Sequence, residues 1–408
     1  MADRRVVITG VGVICAAGLN VPDAWSSIRS GVSSIGPITS VDSSLLRFQN
    51  GAEVRNYDSA EYFEGSRADH LDRFAQFAVI AAREAVADAG VTFNPELCER
   101  TAVICGSGGG GQISQDSGYV DLYQRGKGRV HPLIVPRTMA NGGVSHVTME
   151  FGIYGPSYAV STACSSSNHA IGQAFHMVRR GEVEMALTGG SEAPFAMGCL
   201  KAWEALRVIA PDTCRPFCVD RRGMILGEGA GIIVLEPLEA ARARGAKIYA
   251  EIVGFGMSAD AHHITQPTVE GPARAIRRAL SDAKLAPEQI GYINAHGTAT
   301  PGNDPAETGA IRCVFGPHAD RLAVSSTKSM HGHALGGAGA IEAVFTIMAL
   351  RDGVLPPTAN FTQADPACDL DYIPNEARKA TVECALSNSF AFGGLNAVLA
   401  FRSGSGLS

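Results

Sequence analysis

One cysteine in the sequence stands where an apolar run changes into a helical pattern. Tyr158-Ala-Val leads into Ser-Thr-Ala-Cys164-Ser-Ser-Ser, and apolar residues then recur at three- and four-residue spacing from Ala170 to Val178. This pattern predicts a strand, a tight turn and a helix with Cys164 near its start. The helix dipole and free backbone N–H groups at such a position stabilise a thiolate and can bind an oxyanion. Cys164 is therefore a candidate nucleophile, and a buried structural cysteine is the alternative.

Two histidine-containing segments carry groups that could bond a substrate carbonyl. Ile293-Asn-Ala-His296-Gly-Thr-Ala-Thr300 takes a histidine from an apolar strand into a turn, and Asp304 is expected to cap the next helix. Lys328-Ser-Met-His331-Gly-His333 precedes a helix rich in glycine and alanine. A buried Lys328 would need a carboxylate nearby, and Glu307 and Glu342 are the candidates. The alternatives are a turn histidine satisfied by its neighbours and a solvated basic loop.

Two glycine-rich segments need separate interpretation. Ser387-Asn-Ser-Phe390-Ala-Phe392-Gly-Gly394 combines bulky rings with glycines, which favours a gate or wall over a plain turn. Gly106-Ser-Gly108-Gly-Gly-Gly111 satisfies a dinucleotide-binding pattern, but it does not open a first βα unit, and no acidic residue ends a second strand about 20 residues later. We therefore do not expect a nucleotide there, and a nicotinamide dehydrogenase is only a remote alternative.

Alternating strand and helix patterns surround these segments and predict an α/β protein with largely buried, parallel strands. Predicted helices cover residues 72–89 and 338–351, and predicted strands cover residues 101–105 and 323–325. A boundary near residue 250 would give one half at 1–250, with the cysteine, and another at 251–408, with both histidines. No sequence repeat is visible, so internal duplication is an expectation about structure alone.

The composition is typical of a globular protein with a large core. The 408 residues are 46% hydrophobic and 18% charged, and the formal net charge is −6. Without a basic surplus, binding to nucleic acid is not expected. The sequence shows no secretion signal and no apolar run of membrane-spanning length, and its ten cysteines lack framework or metal-ligand spacing. We therefore expect a cytoplasmic protein with reduced thiols, no membrane span and no metal site.

Together these segments resemble the elongating β-ketoacyl-(acyl carrier protein) synthases, which are condensing enzymes of the thiolase superfamily. The resemblance runs across essentially the whole chain in the family's order, through Val6–Gly10, Thr162–Cys164, Arg215–Phe217, Leu226–Gly231, Asn294–Thr298, Ser325–Met330 and Asn388–Phe390. It implies a duplicated α/β thiolase-like fold with five layers, αβαβα, and a homodimer. It also implies ping-pong, decarboxylative Claisen condensation of an acyl chain with malonyl-acyl carrier protein. The partner would be an acyl carrier protein bearing phosphopantetheine, and no redox cofactor would be needed.

The resemblance also implies roles for individual residues. Cys164 corresponds to the acylated nucleophile, and His296 and His333 correspond to the pair that bonds the malonyl thioester carbonyl. Lys328 and Glu307 correspond to charged supports behind that pair. The oxyanion hole and gate would involve the backbone N–H groups of Cys164 and Phe392, together with Phe390. The substrate-binding surface would include Thr298, Thr300, Thr265, Gly109 and Leu200.

Several residues depart from the family pattern. His331 stands where family members usually have threonine, and in the gating segment Ala391 replaces a glycine and Leu395 a threonine. Gly109 takes a place where medium-to-long-chain synthases often have a bulky aliphatic residue. This suggests a deeper tunnel for very long, polyunsaturated or stiff acyl chains, unless a neighbour refills the space. The stretch 203–208 is among those that most resemble a specialised branch that includes rhizobial nodulation-type synthases.

Other functions make different demands on the same residues. A thiolase uses a second catalytic cysteine, whereas the pattern here is Cys/His/His; a synthase that uses free coenzyme A is a further alternative within the fold. A non-catalytic chain-length subunit characteristically lacks the nucleophile, whereas Cys164 is present. An acidic carrier protein would also need basic residues around the pocket mouth, for which Arg67, Lys201 and Arg207 are candidates.

Overall fold

The computed structural model describes residues 3–407, and its elements follow the predicted alternation of strands and helices. The strands are β1 (Val6–Cys15), β2 (Gly36–Pro37), β3 (Asn50–Gly51), β4 (Thr101–Gly106), β5 (Ser157–Val160), β6 (Met185–Glu192), β7 (Gly229–Pro237), β8 (Ala250–Ala259), β9 (Ile290–Asn294), β10 (Ala323–Ser325), β11 (Val354–Leu355), β12 (Arg378–Lys379), β13 (Cys384–Ala391) and β14 (Leu395–Ser403).

The helices range in length from four to 17 residues. They are α1 (Val21–Arg29), α2 (Arg73–Ala89), α3 (Pro95–Glu99), α4 (Gln112–Tyr119), α5 (Ile134–Thr138), α6 (Gly142–Phe151), α7 (Ser166–Arg180), α8 (Met197–Ala205), α9 (Leu238–Ala243), α10 (Glu270–Ala283), α11 (Asn303–Phe315), α12 (Lys328–His331) and α13 (Ala338–Asp352).

Ten strands form one mixed sheet in the order β10-β9-β13-β14-β8-β1-β7-β6-β4-β5. In the first half, β5, β4 and β6 pair parallel, and β7 and β1 follow antiparallel. In the second half, β10, β9 and β13 pair parallel, and β14 and β8 follow antiparallel. A short pairing of Val6–Ile8 with Ala250–Ile252 joins the halves. The second half thus repeats the topology of the first, although the two sequences show no repeat.

Helices cover and separate the two halves of the sheet. On the outside, α2 packs on β1, β6 and β7, and α10 packs on β8 and β14. Between them, α7 and α13 contact strands of both halves. Residues Ala338–Leu350 of α13 are all buried, as expected for a helix that is apolar on every side. The expected five-layer, thiolase-like fold is confirmed, and α7 and α13 form its middle layer.

The prediction of largely parallel strands is wrong for the centre of the sheet. There β1, β7, β8 and β14 pair antiparallel with their neighbours. Helices lie on both faces of the sheet, so antiparallel strands are buried on both sides and have continuous apolar sequences like those of parallel strands. The hydrophobic pattern therefore could not distinguish the two pairings.

Two local predictions also need correction. Residues 387–391 extend strand β13, so the gate is reduced to the tight turn Phe392–Gly394 before β14. A turn of this length is enough to join two adjacent antiparallel strands. Asp304 is not a helix cap, because α11 begins one residue before it. Its carboxylate instead accepts the backbone N–H groups of Phe217 at 2.7 Å and Ala299 at 3.1 Å.

The second half of the sheet begins with Ala250, the first residue of β8. The division of the chain into domains at 1–250 and 251–408 stays a prediction. Among residues 3–407, none of the helices combines the length and the apolarity that crossing a bilayer requires.

Candidate active site

Cys164 lies in a strained turn that leads into α7. Ala163 has a φ of 52°, in the left-handed region that residues other than glycine rarely adopt. Hydroxyl groups hold this turn, since Ser165 Oγ donates to the Thr162 carbonyl at 2.9 Å and Ser166 Oγ donates to the Ala163 carbonyl at 2.6 Å. The predicted sequence of strand, turn and helix is thus observed. The serines hold the turn that presents the cysteine, and the strain of about 1–3 kcal/mol must be offset by such contacts.

The second half of the chain has the same turn before α13. Leu335, with a φ of 45°, stands three residues before the first helical residue, as Ala163 does before α7. The position equivalent to Cys164 is Gly336, whose carbonyl accepts a hydrogen bond from Ser167 Oγ. The start of α7 therefore contacts the second turn, and His333 lies just before that turn. The duplicated topology thus brings the cysteine and this histidine to the same place.

His296 and His333 form a pair of perpendicular rings. Their centroids are 5.3 Å apart, and the angle between the ring planes is 85°. Nδ1 of His333 accepts the backbone N–H of Leu335 at 3.2 Å, and Lys328 Nζ lies 3.4 Å from Nδ1 of His296. Because an amide N–H and an ammonium can only donate, both Nδ1 atoms are unprotonated and both Nε2 atoms carry hydrogen. The pair therefore offers two N–H donors.

Burial determines the protonation of the three central groups. It lowers the pKa of His296 and of His333 well below the usual value, and the charge of Lys328 lowers both further. Both rings are therefore neutral donors at neutral pH. Burial raises the pKa of the Cys164 thiol to about 12, although Lys328 and the N–H groups of Phe392 and Cys164 lower it in part. The predicted stabilisation of a thiolate is thus smaller than the effect of burial, and the resting sulfur is a thiol.

Two carboxylates have separate tasks behind the histidines. Lys328, with 1% of its side chain exposed, forms its ion pair with the buried Glu342. Glu307 accepts the backbone N–H groups of His296 at 2.9 Å and Gly297 at 2.8 Å. Of the two candidates from the sequence, Glu342 is therefore the partner of the buried lysine. Glu307 holds the backbone that carries the first histidine.

Two cavities meet at Cys164. The first is lined by both histidines and by five further residues expected at the site, namely Thr265, Thr298, Thr300, Phe390 and Phe392. The lining of the second includes Gly109 and Gln112. Cys164, Trp203 and Phe392 line both cavities, and the two aromatic rings stack with centroids 6.1 Å apart. The sulfur therefore lies at the junction, beside an aromatic pair.

The remaining predicted substrate-binding residues differ in position. Thr298 and Thr300 lie side by side, with their hydroxyl oxygens 2.9 Å apart, whereas Thr265 is exposed at the outer part of the first cavity. Leu200 is completely buried in a hydrophobic cluster with Phe195, and neither cavity has it in its lining. Leu200 therefore packs behind the wall, because its helix turns this side chain into the core.

Sequence reasoning missed one residue, Glu192, at the end of β6. Its carboxylate accepts the backbone N–H groups of Gly108 at 2.6 Å, Gly109 at 3.1 Å and Gly336 at 3.0 Å. A protein carboxylate thus occupies the amides of the glycine-rich segment that imitated a dinucleotide motif. Burial raises the pKa of Glu192 to about 7. A single acidic residue at the end of an apolar strand was the available signal.

An enzyme that joins two thioesters has to hold one acyl group covalently while it activates the other beside it. The Cys164 sulfur can be reached from both cavities, and the two neutral histidine donors lie in only one of them. This arrangement meets both needs. The geometry therefore defines a condensing enzyme of the thiolase type.

Comparison with known proteins identifies the family. Residues 3–241 match "Beta-ketoacyl synthase, N-terminal domain" and residues 249–362 match "Beta-ketoacyl synthase, C-terminal domain". The chain is 48% identical over 400 residues to Nodulation protein E of Rhizobium sp. (strain N33), and the alignment covers 98% of this chain and 99% of the relative. It is 42% identical over 407 residues to 3-oxoacyl-[acyl-carrier-protein] synthase 2 of Staphylococcus aureus (strain COL), which covers 98% of each.

A solved structure supports the same assignment. A type II polyketide-synthase acyl carrier protein in complex with its ketosynthase, bound to the hexaketide, superposes with a TM-score of 0.87 at 30% identity, covering 98% of this chain and 100% of that chain. The chain therefore belongs to the β-ketoacyl synthase family, and the resemblance stated from its motifs is confirmed. It is an acyltransferase that catalyses the decarboxylative Claisen condensation of an acyl group with malonyl-acyl carrier protein.

Proposed function

We propose that Cys164 carries the acyl chain and that His296 and His333 bond the thioester oxygen of malonyl-acyl carrier protein. The observation that carries this proposal is the position of one sulfur in the lining of both cavities, whereas the two imidazoles line only the first. The acyl chain then extends into the second cavity. The malonyl group and its pantetheine arm occupy the first.

In the first half-reaction, the Cys164 sulfur attacks the acyl thioester on the carrier. A new carbon–sulfur bond forms, the carrier's carbon–sulfur bond breaks, and the carrier leaves as a thiol with the proton of Cys164. The tetrahedral oxyanion accepts hydrogen bonds from the backbone N–H groups of Cys164 and Phe392. Both N–H groups lower the pKa of the Cys164 thiol and so favour negative charge at this position, which supports their assignment as the oxyanion hole.

In the second half-reaction, malonyl-carrier loses carbon dioxide, and the electron pair of the broken bond moves into the thioester carbonyl. The enolate oxygen accepts hydrogen bonds from Nε2–H of His296 and of His333. The enolate carbon then attacks the acyl carbonyl on Cys164, so that a carbon–carbon bond forms and the bond to sulfur breaks. The product is β-ketoacyl-carrier, and a proton from solvent restores the thiol.

The charged residues behind the pair are positioning residues in this scheme. Lys328 keeps Nδ1 of His296 unprotonated by donating to it, so the hydrogen remains on Nε2. Glu307 holds the backbone at His296, and Asn388 Nδ2 donates to the same carboxylate at 3.1 Å. Since the donors must point at an oxygen that gains charge during the reaction, small movements of this support should change the rate.

The two substrates would bind in cavities that are lined by different residues. We propose that Thr298, Thr300 and Thr265 bond the pantetheine arm, since all three line the first cavity. In the second cavity, Gly109 contributes no side chain to the wall, and Gln112 packs over it. Nε2 of Gln112 donates to the Gly109 carbonyl at 2.8 Å, and the three nearest neighbours of an added Cβ would be Gln112 atoms at 3.2–3.4 Å. The glutamine thus takes part of the space left by the glycine. Because its side chain is flexible, we propose that it moves aside for very long, polyunsaturated or stiff acyl chains, as expected of the specialised branch suggested by the sequence and in keeping with the similarity to Nodulation protein E.

We further propose that an acyl carrier protein docks at the mouth of the first cavity. Arg207 is exposed beside Val208 of the cavity wall and forms no ion pair with any other described residue. In contrast, Arg67 and Lys201 are paired with Glu150 and Glu204. Arg207 is therefore the best of the three candidates for contact with an acidic carrier. Arg207→Glu should raise KM for the carrier substrate and leave kcat unchanged; an unchanged KM would exclude it.

A homodimer is the assembly we propose, because β5 is an edge strand of the large sheet and Ser157 and Tyr158 are exposed on it. An open edge of this kind can pair with the same edge of a second copy. Sedimentation analysis of the chain and of a Ser157→Pro variant tests this arrangement, because the N–H of Ser157 faces away from β4 and proline cannot donate from that edge. Free thiols at all ten cysteines support the expected cytoplasmic location.

The test of the central proposal is the intact mass of the protein after incubation with an acyl carrier substrate. The wild-type chain should gain the mass of one acyl group, and Cys164→Ala should gain none. Cys313→Ser is the matched control, because Cys313 is exposed and lines neither cavity. An adduct on Cys164→Ala, or none on the wild type, would refute the assignment.

A further inference from the structure

His331 is buried beside the site, two residues before His333, and the reaction scheme above does not use it. It is the last residue of α12, whose first residue is Lys328, and it is 0% exposed. Its ring lies beside Phe345, with centroids 5.6 Å apart. A polar ring in such a place is costly unless its hydrogen-bonding groups have partners, so its contacts need an explanation.

The direction of its hydrogen bond can be worked out from the neighbours. Nε2 of His331 lies 3.0 Å from Thr327 Oγ1, and that hydroxyl donates to Oδ1 of Asn294 at 3.5 Å. A hydroxyl has a single hydrogen and an amide oxygen can only accept, so the hydrogen between the ring and Thr327 must come from the ring. His331 is therefore a neutral Nε2–H donor. Its Nδ1 has no hydrogen-bond partner among residues 3–407.

The chain of hydrogen bonds continues to the catalytic pair. Nδ2 of Asn294 donates to the backbone carbonyl of Glu342 at 3.3 Å. The carboxylate of Glu342 binds Lys328, and Lys328 Nζ lies 3.4 Å from Nδ1 of His296. Asn294 itself belongs to β9, two residues before His296. The network thus ties the strand that carries His296 to the helix that carries the partner of Lys328.

We propose that His331 is a positioning residue that acts through Thr327 and Asn294 to hold Lys328 against His296. Its donated hydrogen leaves the Thr327 hydroxyl only one direction in which to donate, towards Asn294. Asn294 then keeps α13 and β9 at the spacing at which Lys328 reaches both Glu342 and His296. The inference rests on the proposed function, because the consequence is a fixed Nε2–H of His296 for the malonyl thioester oxygen.

The test compares two replacements of similar size in the two half-reactions. His331→Leu fills the space without a donor, whereas His331→Gln can place an amide N–H near the position of Nε2. We expect His331→Leu to lower kcat for malonyl decarboxylation about tenfold with an unchanged KM, and to change acyl transfer to Cys164 less than about twofold, as for loss of one ordered hydrogen bond. His331→Gln should restore decarboxylation to within about twofold of the wild type.

A second variant tests the same link from its other end. Thr327→Val should also lower decarboxylation about tenfold, and the double variant with His331→Leu should lose no more than either single variant. Thr188→Val is the matched control, because this buried hydroxyl donates to the Ile104 carbonyl at 2.7 Å on another strand pair, and it should leave both half-reactions unchanged.

Three results would overturn the inference. They are equal losses in both half-reactions for His331→Leu, equal rates for the Leu and Gln variants, and additive losses in the double variant. Failure of the proposed function is recognised separately, because the wild-type chain itself would then neither accept an acyl group on Cys164 nor release carbon dioxide from malonyl-carrier.

Discussion

A side chain at position 109 should shorten the acyl chains that the enzyme accepts. An added Cβ at Gly109 would have as its nearest neighbours Nε2, Cγ and Cδ of Gln112, at 3.2, 3.3 and 3.4 Å. These are atoms of a flexible side chain that can move aside. The backbone at Gly109 does not have a positive φ, so a larger residue introduces no backbone strain. Gly109→Phe should therefore fold and place its ring in the second cavity.

The magnitude follows from the methylenes that the ring displaces. Each methylene that is no longer buried costs about 0.8 kcal/mol. If the ring takes the space of about four methylenes, a chain that fills the cavity loses about 3 kcal/mol, which corresponds to about 200-fold in kcat/KM. A chain short enough to end before the ring loses nothing. The effect should therefore grow with chain length rather than apply to all substrates.

The assay is a panel of acyl carrier substrates that lengthen by two carbons at a time, with products identified by mass. Gly109→Ala is the control, because a single added carbon should change the rate for long chains by no more than about fourfold, as for one methylene. An unchanged chain-length profile in Gly109→Phe would show that the acyl chain does not pass this residue. Equal losses at every length would show a general disturbance of the site instead.

Three further predictions concern the charges and donors of the site. His333→Ala removes one of two donors to the enolate oxygen, so decarboxylation should fall about 100-fold while acyl transfer changes little; equal losses, measured by carbon dioxide release and intact mass, would contradict this role. Glu307→Gln weakens charge-assisted bonds of about 1.5–3 kcal/mol to the backbone at His296, so both Tm and the decarboxylation rate should fall, and an unchanged rate would argue against a positioning role. Burial lowers the pKa of His331 to about 3 from the usual 6.5, so below pH 6.5 the unfolded chain binds the extra proton and stability falls. At pH 5 the loss should be about 2 kcal/mol for this ring, so urea unfolding of His331→Gln should show a weaker pH dependence than the wild type, and parallel profiles would contradict the reasoning.

Local sequence patterns were sufficient wherever the structure depends on near neighbours. The strand at 323–325 has the predicted bounds, and the predicted helix at 338–351 differs from α13 by one residue. The turn at Cys164 followed from the change of apolar spacing around it. Hydrophobic periodicity and small residues at turns act over a few residues, so no knowledge of the fold was needed.

The same patterns could not decide which carboxylate forms the ion pair with Lys328. Glu307 and Glu342 are both buried acids near the site, and the sequence offered both. In the structure Glu342 binds Lys328, whereas Glu307 binds the backbone at His296. Which of them neutralises the lysine depends on how α11, with Glu307, and α13, with Glu342, lie relative to Lys328 at the start of α12, which is not a property of any one segment.

The glycine-rich segment at 106–111 is a second case in which a local pattern was not sufficient. Its local pattern satisfies a phosphate-binding motif, but two of its amides are occupied by Glu192 from the neighbouring strand β6. Nothing within the segment contains that information. The prediction against nucleotide binding came from the wrong position of the segment in the chain, and its physical reason became visible only with the strand pairing.

By itself, the sequence singled out the candidate reacting groups and determined the local shapes that present them: a cysteine before a helix, a histidine after a strand, and a second histidine before a glycine-rich helix. Only the tertiary structure decided that Cys164 joins two cavities, that both histidines are Nε2–H donors, and that Cys164 rests as a thiol. The physical reason is the distance along the sequence over which each interaction acts, since turns and helices are specified by neighbouring residues. Burial, ion pairing and tautomers depend on groups that are brought together from opposite halves of a duplicated fold.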